Sequence, residues 1–313
     1  MESLLLQFLQ VTEKSAIKAY PWIGKGDVYG ADGAATAEMR ALFNDIDFSG
    51  SVVIGEGEID DAPMLYIGEQ LGKGTGLEVD IAVDPIEGTN PTIKGQDNGM
   101  TVLVAAPKGS LLHAPDMYMK KIAVGPRAKG KVDLDAPFID NLKAVAKANG
   151  KPLNHLHVAI QERERHNEYI NAVYELGGRV SLFEDGDVIY SLATCLEESD
   201  IDMLVGVGGA PEGVIAAAAI KSLGGDFQAK LQPINDEEIS RCQAMGINDL
   251  NKALLIDDLI TSDDCIFVAT ALTDNILMNG ISEKNNIMRL QSLVLNGKEG
   301  MLRKVESSYY NKS

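Results

Sequence analysis

Apolar residues recur at helical intervals near the start of the chain and at strand intervals further along. From about Glu2 to Tyr20 the apolar side chains fall on one face of a helix, which we expect to stop before Pro21. A second helix is predicted from Ala34 to Phe43, after a glycine-rich loop. The short runs that predict strands here are "SVVIG", "VDIAVD" and "GMTVLVAA", with Ser110 to Ala114 as a further candidate.

After Pro152 the pattern alternates between strands and helices. The strands are predicted at "HVAIQ", "RVSLF" and "DMLVGVG", and the helices at His166 to Leu176 and at Gly213 to Leu223. A closing hairpin is predicted from Ser292 to Tyr309, turning at Asn296-Gly297. The alternation predicts strand-helix-strand units, and hence a layered α/β fold.

The chain is long enough for two medium domains. It has 313 residues, of which 45% are hydrophobic, so it can form a substantial core. Glycine, proline and lysine are dense between Gly125 and Pro152, which favours a boundary there. We therefore expect two subdomains, at residues 1–140 and 141–313.

Charge and composition exclude several classes of partner. The net charge is -18, with 46 acidic against 28 basic residues, so nucleic acids and anionic membranes are unfavourable partners. No apolar run reaches the ~20 residues of a membrane span, and the N-terminus lacks a basic signal region, so we expect a cytoplasmic protein. The cysteines, Cys195, Cys242 and Cys265, are far apart, and we expect them to be reduced.

Carboxylates gather in four glycine-containing segments at predicted strand ends or loops. They are Asp32 in "ADGAA", Glu56, Glu58, Asp60 and Asp61 in "GEGEIDDAPM", Asp84 and Glu87 in "DPIEGT", and Glu212 in "GGAPEGV". Hard oxygen donors without His or Cys nearby suit Mg²⁺ or Mn²⁺. Two such ions ~4 Å apart can clamp a phosphoryl group. The pattern therefore indicates hydrolysis of a phosphate ester.

Each carboxylate also has a structural alternative. Asp32 could cap the helix that follows it, although we favour a ligand role; for Asp61 we favour a cap on a helix starting at Pro63. For Glu58 both roles, metal ligand and helix cap, stay open. In "GGAPEGV" the junction of strand and helix is suited to an anion, but Pro211 stands where a dinucleotide fingerprint needs glycine.

Long motifs carry a specific resemblance. The stretches "VIGEGEIDDAPMLYIGE", "AVDPIEGT", "HAPDMYM" and "GGAPEGV" resemble the bacterial class II fructose-1,6-bisphosphatases, over nearly the whole chain. More distantly, "DPIEGT" resembles the signature of the lithium-sensitive sugar and inositol phosphatases. The resemblance implies an αβαβα fold with two mixed-sheet subdomains and, with Mn²⁺ or Mg²⁺, hydrolysis of fructose 1,6-bisphosphate to fructose 6-phosphate, a step of gluconeogenesis. It also implies a homo-oligomer, dimer or tetramer.

The same resemblance assigns roles residue by residue. The implied metal ligands are Asp32, Glu56, Asp84, Glu87 and Glu212. Thr89 resembles the hydroxyl that orients the attacking water, and Asp60 resembles its carboxylate partner. The residues implied to hold the sugar and its phosphates are Glu87, Gly88, Thr89, Tyr118, Arg163, Glu164, Arg165, Asp185, Gly186, Asp187 and Gly209. In this scheme residues 1–140 bind metal and residues 141–313 bind substrate.

Structural alternatives remain open for the substrate residues. Tyr118 could belong to the core, Arg163 and Arg165 could form a solvated helix start, and Asp187 could cap a helix. The chain also departs from many family members before Asp32, where Val28 and Tyr29 stand in place of polar residues. Alternative functions are a dual fructose-1,6-/sedoheptulose-1,7-bisphosphatase, an inositol-type monophosphatase, and a non-catalytic protein that binds metal or sugar phosphate.

Overall fold

The computed structural model describes residues 1–55, 65–247 and 249–310, so the predictions for Glu56, Glu58, Asp60 and Asp61 lie outside the described residues. The first predicted helix is confirmed, since it ends at Ala19, before Pro21. The α-helices of the described residues are α1 Leu5–Ala19, α2 Val28–Asn44, α3 Thr89–Lys94, α4 Phe138–Asn149, α5 Asn167–Glu175, α6 Asp187–Ala193, α7 Ala210–Ser222, α8 Asp236–Ala244 and α9 Ile256–Leu259.

The strands confirm the α/β class, because they form two mixed sheets. Most of them coincide with runs rich in valine, isoleucine and leucine. The strands are β1 Phe48–Ile54, β2 Gln70–Leu71, β3 Leu77–Glu87, β4 Met100–Pro107, β5 Tyr118–Val124, β6 His157–Gln161, β7 Arg179–Phe183, β8 Met203–Gly209, β9 Asp226–Leu231, β10 Leu254–Leu255, β11 Ile266–Ala271, β12 Ser282–Lys284, β13 Ile287–Asn296 and β14 Met301–Tyr310.

The chain divides into two compact units. The first comprises Met1–Leu111 and Ser262–Ser313, and the second comprises Leu112–Thr261. This division differs from the expected boundary between Gly125 and Pro152, because strand pairing assigns the segments otherwise. Strand β11 pairs with β4 in the first unit, whereas β5 pairs with β8 and β9 in the second.

The first unit is built on a sheet in the order β12-β13-β11-β4-β3-β1-β2, with β14 also paired to β13. The closing hairpin is confirmed, since β13 and β14 pair antiparallel around Gly297–Glu299. Helices α1 and α2 pack together, and Phe8 of α1 makes edge contacts with Phe43 and Phe48 at ring-centre distances of 5.7 and 5.5 Å. These aromatic contacts join the helices to the sheet.

The second unit is built on a sheet in the order β10-β9-β5-β8-β6-β7. Strand β6 runs parallel to β7 and β8, whereas β5 runs antiparallel to β8. The carboxyl ends of β6, β7 and β8 therefore lie at the same edge of the sheet as the first residue of β5. Ligand sites in α/β folds commonly form outside this edge.

Helix α2 begins earlier than predicted. Its N-cap is Asp27, whose carboxylate accepts a hydrogen bond from the Gly30 amide at 2.9 Å. The expectation that the helix starts at Ala34 is wrong, and so is the alternative that Asp32 caps it, because Asp32 lies inside the helix. Gly30 is required there because a Cβ atom would lie 2.3 Å from the Trp22 ring.

The strand expected from Ser110 to Ala114 is absent, although this segment is fully described. Leu111 makes only an isolated bridge. The amides of Ser110 and Leu111 donate instead to the buried carboxylate of Asp80, at 2.8 and 3.1 Å. A side chain thus takes the hydrogen bonds that a neighbouring strand would have accepted.

None of the helices in the described part of the chain combines the length and apolar character that crossing a bilayer requires. The three cysteines, Cys195, Cys242 and Cys265, are free thiols, as expected. Cys242 and Cys265 are buried, which fits a packing role.

Candidate active site

A bulge at the end of β3 brings two carboxylates together. In a regular strand, residues three apart point to opposite faces. Here the pairing with β4 shifts between Asp84, opposite Val102, and Glu87, opposite Met100, so β3 has one extra residue. Pro85 lies in the bulge, where its missing N–H is tolerated. As a result, ligand oxygens of Asp84 and Glu87 lie within 4.8 Å of each other.

The bulge is fixed by local hydrogen bonds and a left-handed glycine. The Ile86 amide donates to Asp84 Oδ1 at 3.0 Å. Gly88 has a φ of 80°, and a Cβ atom there would lie 2.7 Å from the carbonyl oxygen of Asn98. A side chain at position 88 is therefore disfavoured both by its backbone conformation and by the space available. The chain turns at Gly88 into α3, which begins with Thr89.

Asp32 lies beside this turn, although it comes from a helix far away in sequence. The Thr89 hydroxyl lies 3.4 Å from Asp32 Oδ1 and donates to the carbonyl of Ile86 at 2.8 Å. Burial raises the pKa of Asp32 to about 6, because its charge has little compensation nearby. A cation next to Asp32 would offset this penalty.

Glu212 belongs to the second unit, in the first turn of α7. The predicted junction of strand and helix is confirmed: β8 ends at Gly209, which is the N-cap of α7. A Cβ atom at Gly209 would lie 1.8 Å from the Glu212 carboxylate, so a larger residue there would displace that side chain. Glu212 Oε2 is buried without a hydrogen-bond partner among the described residues. Burial raises the pKa of Glu212, although the charge of Lys121 opposes this effect.

Each unit carries carboxylate oxygens of the kind that bind a divalent cation. Asp84 and Glu87 present paired carboxylates, and Glu212 Oε2 is an orphaned buried acceptor. Buried groups of this kind are normally satisfied by a partner, which a Mg²⁺ or Mn²⁺ ion would supply. Glu56, which is predicted to bind metal, and Asp60, which is predicted to act on the attacking water, lie outside the described residues.

At the carboxyl edge of the second sheet, two predicted substrate residues pack together. The guanidinium carbon of Arg165 lies 5.0 Å from the ring centre of Tyr118, an arrangement suited to a cation–π contact. Tyr118 is 46% exposed at the start of β5, so the alternative that it belongs to the core is wrong. In the antiparallel pairing of β5 with β8, Tyr118 lies opposite Gly209.

The other arginine is paired with an acidic residue of the same predicted set. Arg163 Nη2 donates to Asp185 Oδ1 at 3.0 Å, and Arg165 donates to the carbonyl of Val207. Both arginines do lie at a helix start, the short 3-10 helix Glu164–His166 before α5, but their side chains are hydrogen-bonded within the sheet edge. Burial raises the pKa of Asp185, while Arg163 opposes the shift. Glu164, between the arginines, is exposed.

Asp187 is not a helix cap, in contrast to the alternative reading. The N-cap of α6 is Gly186, and Asp187 is the first helical residue and makes no capping bond. Its carboxylate forms an ion pair with Lys121, which also donates to the carbonyl of Gly209 at 3.0 Å. Gly208 leaves room for this pair, since a Cβ atom there would lie 2.1 Å from Asp187 Oδ2.

Two residues of this edge were not predicted from the sequence. Lys121 and His166 are both buried: Lys121 bonds to the end of β8 and to Asp187 of α6, and His166 bonds to the ends of β6 and β8. A lysine inside the apolar run of β5 is an unusual signal that could have pointed to Lys121. For His166, the sequence signal that could have pointed to this edge was its position directly after Arg165.

The pH dependence of stability should report on His166. Burial lowers its pKa below the ordinary value of about 6.5. The folded state therefore binds the imidazole proton less readily than the unfolded chain, so the stabilisation is present above that ordinary value and is lost as the pH falls through the folded pKa. We expect the free energy of unfolding, measured with urea, to fall less between pH 7 and pH 5 in His166→Gln than in the wild type.

Exposed His155 supplies the control for this measurement. His155→Gln should leave the pH dependence as it is in the wild type. Equal losses of stability in the wild type and in His166→Gln would contradict the assignment.

Carboxylates at a bulge beside a threonine hydroxyl, in a chain that also carries an arginine-lined sheet edge, define the class of metal-assisted phosphate ester hydrolases. The sequence matches the family described as bacterial fructose-1,6-bisphosphatase, glpX-encoded, over residues 2–309. The chain belongs to this family, whose members depend on metal ions.

Bacterial relatives align with this chain along nearly their full length. The chain is 47% identical to fructose-1,6-bisphosphatase 1 class 2 of Escherichia coli strain K12, covering 98% of this chain and 95% of the relative. It is also 47% identical to fructose-1,6-bisphosphatase 2 class 2 of the same strain, covering 95% and 96%. The class 2 enzyme of Haemophilus influenzae is 44% identical, with 98% and 96% covered.

Proposed function

We propose that this chain removes the 1-phosphate of fructose 1,6-bisphosphate, releasing fructose 6-phosphate and inorganic phosphate, as a phosphoric monoester hydrolase of gluconeogenesis. Membership of the family along residues 2–309 supports this proposal. The observation that carries it is the bulge that places Asp84 and Glu87 side by side, next to Thr89. A spacing of three along a regular strand would not bring the two carboxylates to one face.

The cofactor in this proposal is Mn²⁺ or Mg²⁺, with at least two ions per active site. The ligands are Asp32, Glu56, Asp84, Glu87 and Glu212. When bound, the ions supply Lewis-acid activation and neutralise the charge that develops on the transferred phosphoryl group. Burial raises the pKa of both Asp32 and Glu212, and because a bound cation would stabilise their charged forms, these shifts support their assignment as ligands.

The proposed role of Thr89 follows from its hydrogen bonds. Its hydroxyl hydrogen is directed to the carbonyl of Ile86 at 2.8 Å, so its oxygen lone pairs are available to accept from a water. A water that donates to Thr89 is oriented with a lone pair free to attack phosphorus in line. Asp60 is proposed to take the proton from this water.

The substrate is held, in this proposal, by the sheet edge of the second unit. Arg163 and Arg165 bind the distant 6-phosphate, since guanidinium groups suit phosphate oxygens. The rest of the proposed substrate-binding set comprises Glu87, Gly88, Thr89, Tyr118, Glu164, Asp185, Gly186, Asp187 and Gly209. The first unit accordingly supplies Thr89 and most of the proposed metal ligands, and the second supplies Glu212 and most of the proposed substrate-binding residues. We further propose a cytoplasmic homo-oligomer, dimer or tetramer, which light scattering of the purified protein would measure.

A comparison of substrates tests the function. The wild type should show a far higher kcat/KM for fructose 1,6-bisphosphate than for an inositol monophosphate, which has no second phosphate for the arginines. A higher value for the inositol phosphate would overturn the proposal in favour of the inositol-type alternative. Sedoheptulose 1,7-bisphosphate in a third arm separates a specific enzyme from a dual one.

A further inference from the structure

Arg165 is held in place chiefly through the backbone of β8. Its Nε and Nη2 donate to the carbonyl of Val207 at 3.1 and 2.7 Å, and Nη2 also donates to Gln161 Oε1 at 3.0 Å. Since two of these bonds end on Val207, the position of the guanidinium depends on where the Val207 peptide lies.

His166 holds the other polar group of Val207. The Val207 amide donates to His166 Nε2 at 2.8 Å, and His166 Nδ1 lies 2.8 Å from the carbonyl of Gln161. An amide can only donate to a ring nitrogen that carries no hydrogen, so Nε2 is the acceptor and Nδ1 carries the proton. The imidazole is fully buried and neutral in this arrangement.

The ring lies where two strands stop pairing. Strands β6 and β8 pair at Val158 with Met203 and at Ala159 with Leu204. Further along, the imidazole joins the carbonyl of Gln161 to the amide of Val207 in place of a direct backbone bond. Gly206 provides the space, because a Cβ atom there would lie 3.2 Å from the ring. The histidine therefore acts as a spacer of defined length between the two strand ends.

We propose that His166 is a positioning residue for Arg165: its neutral ring sets the Val207 peptide, and the peptide sets the guanidinium that binds the distant phosphate of the substrate. The proposal rests on the proposed function for the nature of that ligand. His166 is buried beneath the edge and acts only through Val207 and Gln161.

Two amide substitutions separate the two bonds of the ring. In His166→Gln the side-chain oxygen reaches the Nε2 position and can still accept from Val207, whereas in His166→Asn it falls short. We expect the Kd for fructose 6-phosphate, measured by calorimetry without metal, to rise by about tenfold in His166→Asn and by much less in His166→Gln. In an Arg165→Ala background the same substitutions should change the Kd little, because the group being positioned is gone.

His157 supplies a matched control. It lies at the opposite end of β6 and bonds to Ser181 Oγ through Nε2, so His157→Asn should leave the Kd unchanged. Wild-type affinity in both His166 variants would overturn the proposal, as would an effect of equal size in the Arg165→Ala background. Nitrogen-15 NMR of the wild-type imidazoles adds a readout independent of ligand: the proposal expects His166 with its hydrogen on Nδ1, and a hydrogen on Nε2 would overturn it.

The binding assay also keeps this proposal distinct from the proposed function. A wild type that binds fructose 6-phosphate but releases no phosphate from the bisphosphate would contradict the function and leave the positioning role supported by its own variants. A wild type that hydrolyses the bisphosphate while His166→Asn binds normally would contradict the positioning role alone.

Discussion

Replacing Asp84 by asparagine should lower kcat for phosphate release by at least roughly a hundredfold while leaving the fold intact. Substitutions of groups that merely orient metal ligands already reduce affinity or activity by about 10- to 100-fold, and a ligand itself should matter more. Asparagine retains Oδ1, which accepts the Ile86 amide at 3.0 Å, so the bulge should persist. It removes one of the two charges that lie together at the end of β3.

The matched control is Glu78→Gln, on the same strand. Glu78 is exposed and forms a surface ion pair with Lys108 at 3.2 Å, so its loss should leave turnover unchanged. Circular dichroism and thermal unfolding of both variants show whether the fold is retained. Turnover of Asp84→Asn close to that of Glu78→Gln would contradict the placement of the metal site.

Lys121→Met should lower the free energy of unfolding by about 3–5 kcal/mol, the usual effect of removing one partner from a buried ion pair. The side chain of Lys121 is 2% exposed and that of its partner Asp187 is 12% exposed. Without the ammonium group, the Asp187 carboxylate and the Gly209 carbonyl both lose a donor in a poorly solvated place.

Urea unfolding measures this loss, and a second substitution identifies its cause. If the uncompensated charge of Asp187 is responsible, adding Asp187→Asn to Lys121→Met should restore part of the stability. Lys108→Met is the control, because its ion pair with Glu78 is exposed on both sides and should contribute less than about 1 kcal/mol. Similar losses in Lys121→Met and Lys108→Met would show that the buried pair is not important for stability.

Local patterns predicted the elements whose apolar spacing agrees with their environment. Helices α1, α5 and α7 and the strands of "HVAIQ", "RVSLF" and "DMLVGVG" lie where the sequence placed them, to within a few residues. Strand β5 was missed because Lys120 and Lys121 interrupt its apolar pattern, and one of them proves to be buried. Burial of a charge depends on a partner from elsewhere in the chain, which a local pattern does not contain.

The start of α2 shows a second limit. Gly30 and Gly33 favour a loop on propensity alone, yet the helix runs through them from Val28. Asp27 provides the cap, and the close approach of Trp22 to Gly30 requires a residue without a side chain. Tertiary packing therefore overrides the local preference and places Asp32 within the helix, next to Thr89.

In the candidate site, too, some residues could be predicted from a local motif and others depend on contacts between distant segments. The motif "DPIEGT" predicts Asp84, Glu87 and Thr89 as site residues, and the structure shows that a one-residue bulge lies between Asp84 and Glu87. The bonds of His166 to Gln161 and Val207 join two strand ends, and the ion pair of Lys121 with Asp187 joins β5 to α6, in each case between segments far apart in sequence. Such contacts follow from the topology of the second sheet, which the linear pattern does not specify.

Phosphate release from fructose 1,6-bisphosphate, with and without divalent metal, tests the central claim most directly. The purified chain should release one phosphate per substrate molecule in the presence of Mn²⁺ and leave fructose 6-phosphate as the product. Release should stop when EDTA removes the metal and resume when Mn²⁺ is restored. Release that continues undiminished in EDTA, or no release with any divalent ion, would contradict the account.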